Sequence, residues 1–240
     1  MAENRASVYA EGVPCWVDAQ LSDVEAGKRF YGELFGWTFE DALGSSVWAQ
    51  LGGEPVASLA PKMDGRMPTV WTVSFATPDA QALGRRIIAA GGQVVMAPFP
   101  VGDLGIAALA ADPQGAVFGL WQAASHPGFG RRHEPNTFVW VELYTSDTAA
   151  ANTFYGGLFH DALFGADAEP DFGRAEISDV FPAEMPSHFV THFRVTDLED
   201  ALGAVQRLGG RVQAPPFEAS YGRVAVVTDN QGASFAVLQR

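Results

Sequence analysis

The chain has 240 residues, of which 48% are hydrophobic and 18% charged. That is material for one large domain or two small ones, and it excludes a disordered chain. A formal charge of −13, from 15 basic and 28 acidic residues, argues against nucleic acid and anionic membrane surfaces as partners, because phosphate repels such a surface.

Cys15 is the only cysteine, which leaves no internal disulfide and no cysteine metal cluster. No apolar run reaches the roughly 18–20 residues of a membrane span, and the first residues lack the apolar core of a secretion signal. The expectation is a soluble cytoplasmic protein. Aromatic residues make up 12% of the chain, with 17 Phe and 6 Trp. That richness favours large buried surfaces or an apolar ligand cavity.

In chain order, residues 14–20 read as a strand, and Ser22-Asp23 offers a side-chain oxygen as a helix N-cap. Ala26, Phe30 and Leu34 then recur at the i, i+4, i+8 spacing of a core-facing helical stripe. Gly36 and the glycine and serines at 44–46 punctuate short strands near 46–51 and 55–60. Residues 70–76 form the next predicted strand. Thr77-Pro78-Asp79 starts a helix with Ala82, Leu83, Ile87 and Ile88 on its apolar face, and Gly91-Gly92 ends it. Strands follow near 93–97, 105–111 and 116–122. The segment 124–136, rich in Pro, Gly and charge, reads as an exposed linker. Beyond it the same rhythm returns: a strand at 138–144, a cap at Ser146-Asp147, a stripe of Ala150, Phe154 and Leu158, and an irregular stretch at 165–186. Predicted elements at 188–195, 198–208, 211–214, 222–228 and 233–239 close the chain.

The recurrence is a true repeat. At one constant offset, Trp16, Val17, Ser22, Asp23, Ala26, Phe30, Tyr31, Gly32, Leu34 and Phe35 recur as Trp140, Val141, Ser146, Asp147, Ala150, Phe154, Tyr155, Gly156, Leu158 and Phe159. Asp112-Pro113-Gln114-Gly115-Ala116 recurs as Asp229-Asn230-Gln231-Gly232-Ala233. The chain therefore reads as two copies, residues 1–123 and 137–240. Each copy holds two units of strand, helix and three strands.

This four-fold series, with F-Y-x-x-L-F after a capped helix start and D-P-x-G-x-x-F in the last hairpin, resembles the vicinal oxygen chelate superfamily of glyoxalases, bleomycin resistance proteins and extradiol dioxygenases. Within that superfamily it is similar to the two-copy actinobacterial proteins labelled hydroxylase or glyoxalase-like. The resemblance implies an α+β fold of four βαβββ modules in two tandem glyoxalase-like domains, whose sheets curl around cupped cavities. The F-Y-x-x-L-F aromatics read as helix-to-sheet core and not as a cofactor box. The Gly-Gly pairs read as helix stops.

The resemblance also implies where a metal would be held: by His, Glu or Gln on the first and last strands of paired modules. Those first-strand seats hold Trp16, Trp71 or a neighbour among Thr72 and Val73, Trp140 and Val190; the last-strand seats hold Gly119 and Ala236, with Ser58 in the corresponding region of the first module and Glu176 or Glu184 in that of the third. An open metal site needs about three protein ligands. The first copy has none of them, and the second musters at most His192, Glu176 and Glu142. The expectation is no cofactor, with a divalent metal in the C-terminal copy as the alternative.

If the seat residues face the cup, side-chain alternation brings Asp18, Gln20 and Trp16 into one cavity with Trp71, Val73 and Phe75. It brings Trp140, Glu142 and Tyr144 into another with Val190, His192 and Arg194. Trp16, Asp18, Gln20, Trp71, Trp140, Tyr144 and Arg194 are thus the expected ligand-binding residues. Glu142 as base and His192 as acid are the expected catalytic pair. The plain alternatives stay open: Glu142 with Arg194 as a structural ion pair, His192 as a core histidine, Trp16 and Trp140 as plugs. Whether modules pair in order or crosswise is also open. The expected function is metal-independent binding of an aromatic small molecule by a monomer or homodimer. The alternative is a lyase, isomerase or dioxygenase-like enzyme working in the C-terminal copy.

Overall fold

A computed structural model describes residues 9–166, 168 and 171–240. The first module runs β1 (Pro14–Leu21), α1 (Val24–Phe35), β2 (Thr38–Asp41), β3 (Val47–Leu51) and β4 (Glu54–Pro61). The second runs β5 (Val70–Ala76), α2 (Ala80–Ala89), β6 (Gln93–Val101), β7 (Gly105–Ala111) and β8 (Val117–Ala123). The third holds β9 (Phe138–Thr145), α3 (Thr148–Leu158), α4 (His160–Phe164), β10 (Phe172–Glu176) and a 3-10 turn at Ile177–Asp179. The fourth holds β11 (His188–Val195), α5 (Leu198–Arg207), β12 (Arg211–Ala219), β13 (Gly222–Thr228) and β14 (Ser234–Gln239).

The architecture is α+β, with two sheets that each draw their strands from one copy of the repeat. An eight-stranded sheet contains the runs β2-β3-β4-β1 and β5-β8-β7-β6, and a six-stranded sheet contains β10-β9 and β11-β14-β13-β12. In every module the last strand lies parallel to the first: β4 with β1, β8 with β5, β10 with β9, β14 with β11.

The third module departs from the expected βαβββ pattern. Among the described residues its helix is followed by one strand, and α4 stands where the other modules have their first hairpin. The strand kept is the one that satisfies the backbone of β9.

Each major helix is started by an aspartate at its N-cap. Asp23, Asp79, Asp147 and Asp197 accept from the backbone N–H of Ala26, Ala82, Ala150 and Asp200 at 2.8–3.0 Å. Helix α1 ends at Gly36, whose φ of 70° is the left-handed cap that glycine adopts without strain. The segment 124–136 is folded rather than simply exposed. His126 and Phe129 are buried, and Gly130 donates its N–H to Pro55 O at 2.8 Å.

The chain gathers into two compact units that cut across the repeat. The first takes the chain up to Trp16, Val73–Gly128 and Val141–Phe189; the second takes Val17–Thr72, Phe129–Trp140 and Val190–Arg240. Each unit joins a helix of one copy to the closing hairpin of the other. In the second unit Tyr31 of α1 donates its hydroxyl to Asp229 Oδ2 at 2.8 Å and accepts from Trp71 Nε1 at 2.9 Å. The other carboxylate oxygen of Asp229 accepts the N–H groups of Gln231 and Ala233. The first unit repeats the device: Tyr155 of α3 donates to Asp112 Oδ2 at 3.1 Å, while Asp112 Oδ1 accepts from Gln114 and Ala116.

The glutamine of the same motif ties the turn to the helix cap. Gln231 exchanges two hydrogen bonds with the backbone of Asp23, both at 2.8 Å. Gln114 donates to Asp147 O and accepts from the hydroxyls of Thr145 and Ser187. The F-Y and D-x-Q-G motifs are thus two ends of one buried lock. Burial and the facing aspartate hold both tyrosine hydroxyls well above the ordinary phenol range. Around each lock sits an aromatic core. The second unit gathers Phe30, Phe35, Trp37, Phe193 and Phe235 about Tyr31, and the first gathers Phe75, Phe118, Phe159, Phe172 and Phe189 about Tyr155.

Candidate functional site

In the second unit, β1 turns Val17, Ala19 and Leu21, all fully buried, toward α1, where a Cβ placed on Gly27 would lie 2.3 Å from Leu21 Cδ1. Asp18 and Gln20 therefore point to the opposite face. There Gln20 Nε2 donates to Asp18 Oδ2 at 2.8 Å. Strand register extends that face: Asp18 pairs with Ser58, Ser58 with Trp48, and Trp48 with Glu40. Residues opposite one another across strands share a face, so carboxylate, hydroxyl, indole and carboxylate form one row. Burial pushes Asp18 up from 3.8 to about 6, against the amide of Gln20, which lowers it.

Trp71 is corrected by the structure. The expected outward set of β5 (Trp71, Val73, Phe75) is its core face: Trp71 bonds to Tyr31, and Phe75 packs on Phe118, Phe159 and Phe172. The true outward residues are Thr72 and Ser74. The offset by one arises because Tyr31 and the Phe cluster, not the seat residue, set the inward register.

In the first unit, Trp16 lies 4.4 Å edge-on from the ring of His126, whose carbonyl accepts Trp121 Nε1 at 2.9 Å. Burial takes the His126 imidazole down to about 4. The last-strand seat Gly119 pairs with Ser74, and a Cβ there would meet Ser74 Oγ at 2.2 Å. Packing thus keeps any side chain out of that seat.

The first unit also holds Glu142 and Tyr144, both buried on one face of β9. Tyr144 packs edge-on against Phe181, with ring centroids 4.9 Å apart, and stacks on His188 at 6.1 Å. Burial raises the Tyr144 hydroxyl above the phenol range, and the charges of Glu142 and Asp179 add to it. His188 is lowered by burial; its Nδ1 donates to Pro186 O at 2.8 Å and its Nε2 is buried with no hydrogen-bond partner.

Trp140, His192 and Arg194 belong to the second unit. Trp140 stacks on Tyr221, with centroids 5.1 Å apart and planes at 30°, and Tyr221 meets His192 edge-on at 5.9 Å. His192 is fully buried. Its Nδ1 donates to Val190 O at 3.0 Å, so its Nε2 is left as a lone-pair acceptor, and among the described residues no partner reaches it. Burial holds this imidazole at about 4, neutral across the physiological range. Beside it, Ala236 fills the last-strand seat in register. Arg194 is occupied by backbone: it donates to His133 O and Arg240 O, each at 3.1 Å. The expected quartet of Glu142, Tyr144, His192 and Arg194 is therefore divided, two residues to each compact unit.

Sequence reasoning did not select Trp48, Tyr221 or Phe181, and named Ser58 only as the one polar residue at the last-strand position of the first module. Trp48 and Ser58 sit in period-two strands, but their alignment with Asp18 is a matter of register. Tyr221 lies at the β12–β13 turn, which reads as an ordinary polar loop.

A likeness in sequence decides the family. Residues 16–120 match the Glyoxalase/Bleomycin resistance protein/Dioxygenase superfamily. The chain is 37% identical to "Putative glyoxylase CFP32" of Mycobacterium bovis, covering 98% of this chain and 97% of that protein. The chain belongs to this superfamily. It is also 33% identical to the anthracycline biosynthesis protein DnrV of Streptomyces peucetius, over 96% of this chain and 94% of the other. In fold it is similar to the 2,3-dioxygenase LapB of Pseudomonas sp. KL28, with a TM-score of 0.65 at 15% identity and coverage of 97% and 94%.

Metal-using members of such a superfamily need a cluster of donors. Here Trp16, Trp140, Val190, Gly119 and Ala236 stand in the seats, and among the described residues no group of three or more His, Cys, Asp or Glu is placed to hold a metal ion. The donors among the described residues do not fit a resident metal.

Proposed function

We propose that the chain is a metal-independent small-molecule-binding protein of the glyoxalase/bleomycin resistance type that takes a planar hydroxylated aromatic ligand in the cytoplasm. The observation that carries this reading is the Trp140–Tyr221 stack beside the partnerless Nε2 of buried His192. A buried acceptor without a donor is costly unless something supplies one. A flat ring on the aromatic pair, donating a phenolic hydroxyl to Nε2, satisfies both features at once. The naming of one relative for anthracycline biosynthesis supports a ligand of this shape.

The test is titration of untagged protein with 1-naphthol and 1,2-dihydroxyanthraquinone, followed by tryptophan fluorescence and calorimetry, with elemental analysis of the same sample. Saturable binding that Tyr221→Ala and His192→Leu each weaken at least tenfold is the expected result. No binding, or stoichiometric Mn, Fe, Ni or Zn whose removal lowers the melting temperature, overturns the reading.

A second reading has its own observation. Glu142 and Tyr144 are buried on one face of β9, with the imidazole of His188, whose Nε2 has no hydrogen-bond partner among the described residues, against the Tyr144 ring. These residues would support the acid–base chemistry of a lyase, isomerase or dioxygenase-like enzyme, with Glu142 as base and His188 in the role expected for His192. Turnover of a carbonyl or catechol substrate that Glu142→Gln abolishes favours it.

A further inference from the structure

We propose that a cleft on the helix side of the second module is a binding site of its own, for a compact, neutral, apolar molecule that carries a carbonyl oxygen. The cleft lies within the first unit, on the face of the sheet opposite to the Gly119 seat, and the inference goes beyond the function proposed above.

A hydrogen bond and the strand register place it. Gln122 of β8 accepts the N–H of Ala80, the first residue of α2, on its Oε1 at 3.0 Å, so this face of β8 is the one that meets the helix. Gln122 pairs with Ile106 of β7, and Ile106 with Pro100 of β6. Residues opposite one another across strands share a face. With Pro78, Pro98 and Phe99, these side chains line a cleft of about 550 Å³ beside the start of α2. Small-molecule sites run from about 300 to 1,000 Å³.

The repeat shows that the open space belongs to this module. The fourth module has the same frame: Gln239 accepts the N–H of Leu198, the first residue of α5, at 3.2 Å, and pairs with Arg223. There Arg223 reaches Glu199 at 2.8 Å, an ion pair from hairpin to helix, and Glu218 lies opposite Arg223 across the strands. Counted from the capping aspartates Asp79 and Asp197, and from the same register, the second module holds Gln81, Ile106 and Pro100 at those three positions. Strands β6 and β7 carry no charged residue, in a chain of net charge −13. The bridge is replaced by an apolar wall, and Phe99 stays 40% exposed on it.

The lining sets the chemistry of the ligand. Pro78, Pro98 and Pro100 have no N–H to offer, so hydrogen bonding falls to the glutamines. The Oε1 of Gln122 is taken by Ala80, which leaves Nε2 as a donor with no acceptor among the described residues. An amide donor in an apolar cleft is matched by a carbonyl oxygen on the ligand. Asp79 is the one acidic residue in the lining, and its carboxylate is committed to the N–H of Ala82 at the helix start. No Lys or Arg lines the cleft to meet an anion. The ligand is therefore neutral, and burial of its apolar surface drives its binding.

The test is calorimetric titration with prodan, a neutral dimethylaminonaphthyl ketone, and with the matching propylnaphthalene that lacks the carbonyl. The wild type binds the ketone at least tenfold more tightly than the hydrocarbon. Gln81→Glu/Ile106→Arg, which builds the ion pair of the fourth module across the cleft, weakens both compounds at least tenfold. Phe99→Ala also weakens both. Gln122→Glu keeps an oxygen for Ala80 but removes the donor, and it erases the preference for the ketone. Tyr221→Ala changes neither affinity. Circular dichroism and melting temperature establish that each variant is folded; Phe99→Ala, at an exposed position, keeps the test decisive should the double variant unfold. No binding of the ketone, equal binding of the two compounds, ketone binding unchanged in Phe99→Ala or in the folded double variant, or its loss in Tyr221→Ala overturns the proposal. Titration of the same variants with 1-naphthol reports on the Tyr221 site whether or not the ketone binds, so the two readings fail separately.

Discussion

Removing one oxygen from each buried lock separates two costs that the structure makes unequal. Tyr31→Phe takes away the donor to Asp229 Oδ2 and, in the same step, the acceptor of Trp71 Nε1. Tyr155→Phe takes away the donor to Asp112 Oδ2 alone. A hydrogen bond to a charged group contributes about 1.5–3 kcal/mol, and a buried donor left unpaired costs about 1–3 kcal/mol. Tyr31→Phe should therefore destabilise by about 3–4 kcal/mol and Tyr155→Phe by about 2 kcal/mol. With an unfolding entropy of about 2.1 cal/mol/K per residue, those values are drops in melting temperature of about 7 °C and about 4 °C. Urea denaturation with unchanged slope checks that stability, not compactness, has moved. Adding Trp71→Phe to Tyr31→Phe removes the orphaned indole N–H, and the double variant should cost less than the sum of the singles. A Tyr155→Phe loss equal to or larger than that of Tyr31→Phe would refute the reasoning, as would losses under about 0.5 kcal/mol for both.

Three other outcomes follow from the same geometry. Asp18 is raised from 3.8 to about 6 in the folded chain, so its burial costs stability as pH rises through that range. Asp18→Asn should stabilise at pH 8 by about 1–2 kcal/mol, below the roughly 3 kcal/mol of the full shift because water screens its half-buried side chain, and should make no difference at pH 3.5. His192 is lowered from 6.5 to about 4, so the stability of its neutral burial is present above pH 6.5 and is lost as pH falls toward 4. His192→Leu should flatten the denaturation midpoint across that window, measured by chemical denaturation at half-unit steps; an unaltered slope counts against a buried neutral imidazole. Gly119→Ala places a Cβ 2.2 Å from Ser74 Oγ and 3.1 Å from Ser74 Cβ. It should cost about 1–3 kcal/mol by overpacking, with Ser74→Ala restoring part of the loss; a neutral Gly119→Ala means that the two strands part without strain.

Much of this protein was legible from residue order alone, because the relevant physics is local. Period-two runs marked the strands, Asp23 and Asp147 marked two helix starts through side-chain caps that need only three residues of chain, and the repeated motifs marked the modules and their family. Identity at a distance in sequence showed that F-Y and D-x-Q-G recur, but not that they bond to each other across copies. That took the fold, since Tyr31 and Asp229 are brought together only when helix and hairpin pack. The facing of Trp71 was misread for a related reason: alternation marks two faces but not which of them packs on a helix, and the tyrosine that Trp71 bonds lies forty residues away. The third module has α4 in place of its first hairpin, and the sequence hinted at irregularity there without showing which strand would survive. The alignment of Asp18 with Ser58 and Trp48, and the stack of Trp140 on Tyr221, are products of strand register and of a turn's placement. Register depends on the summed packing of a whole sheet against its helix, so no short stretch of residues contains it, and only the tertiary structure decided it.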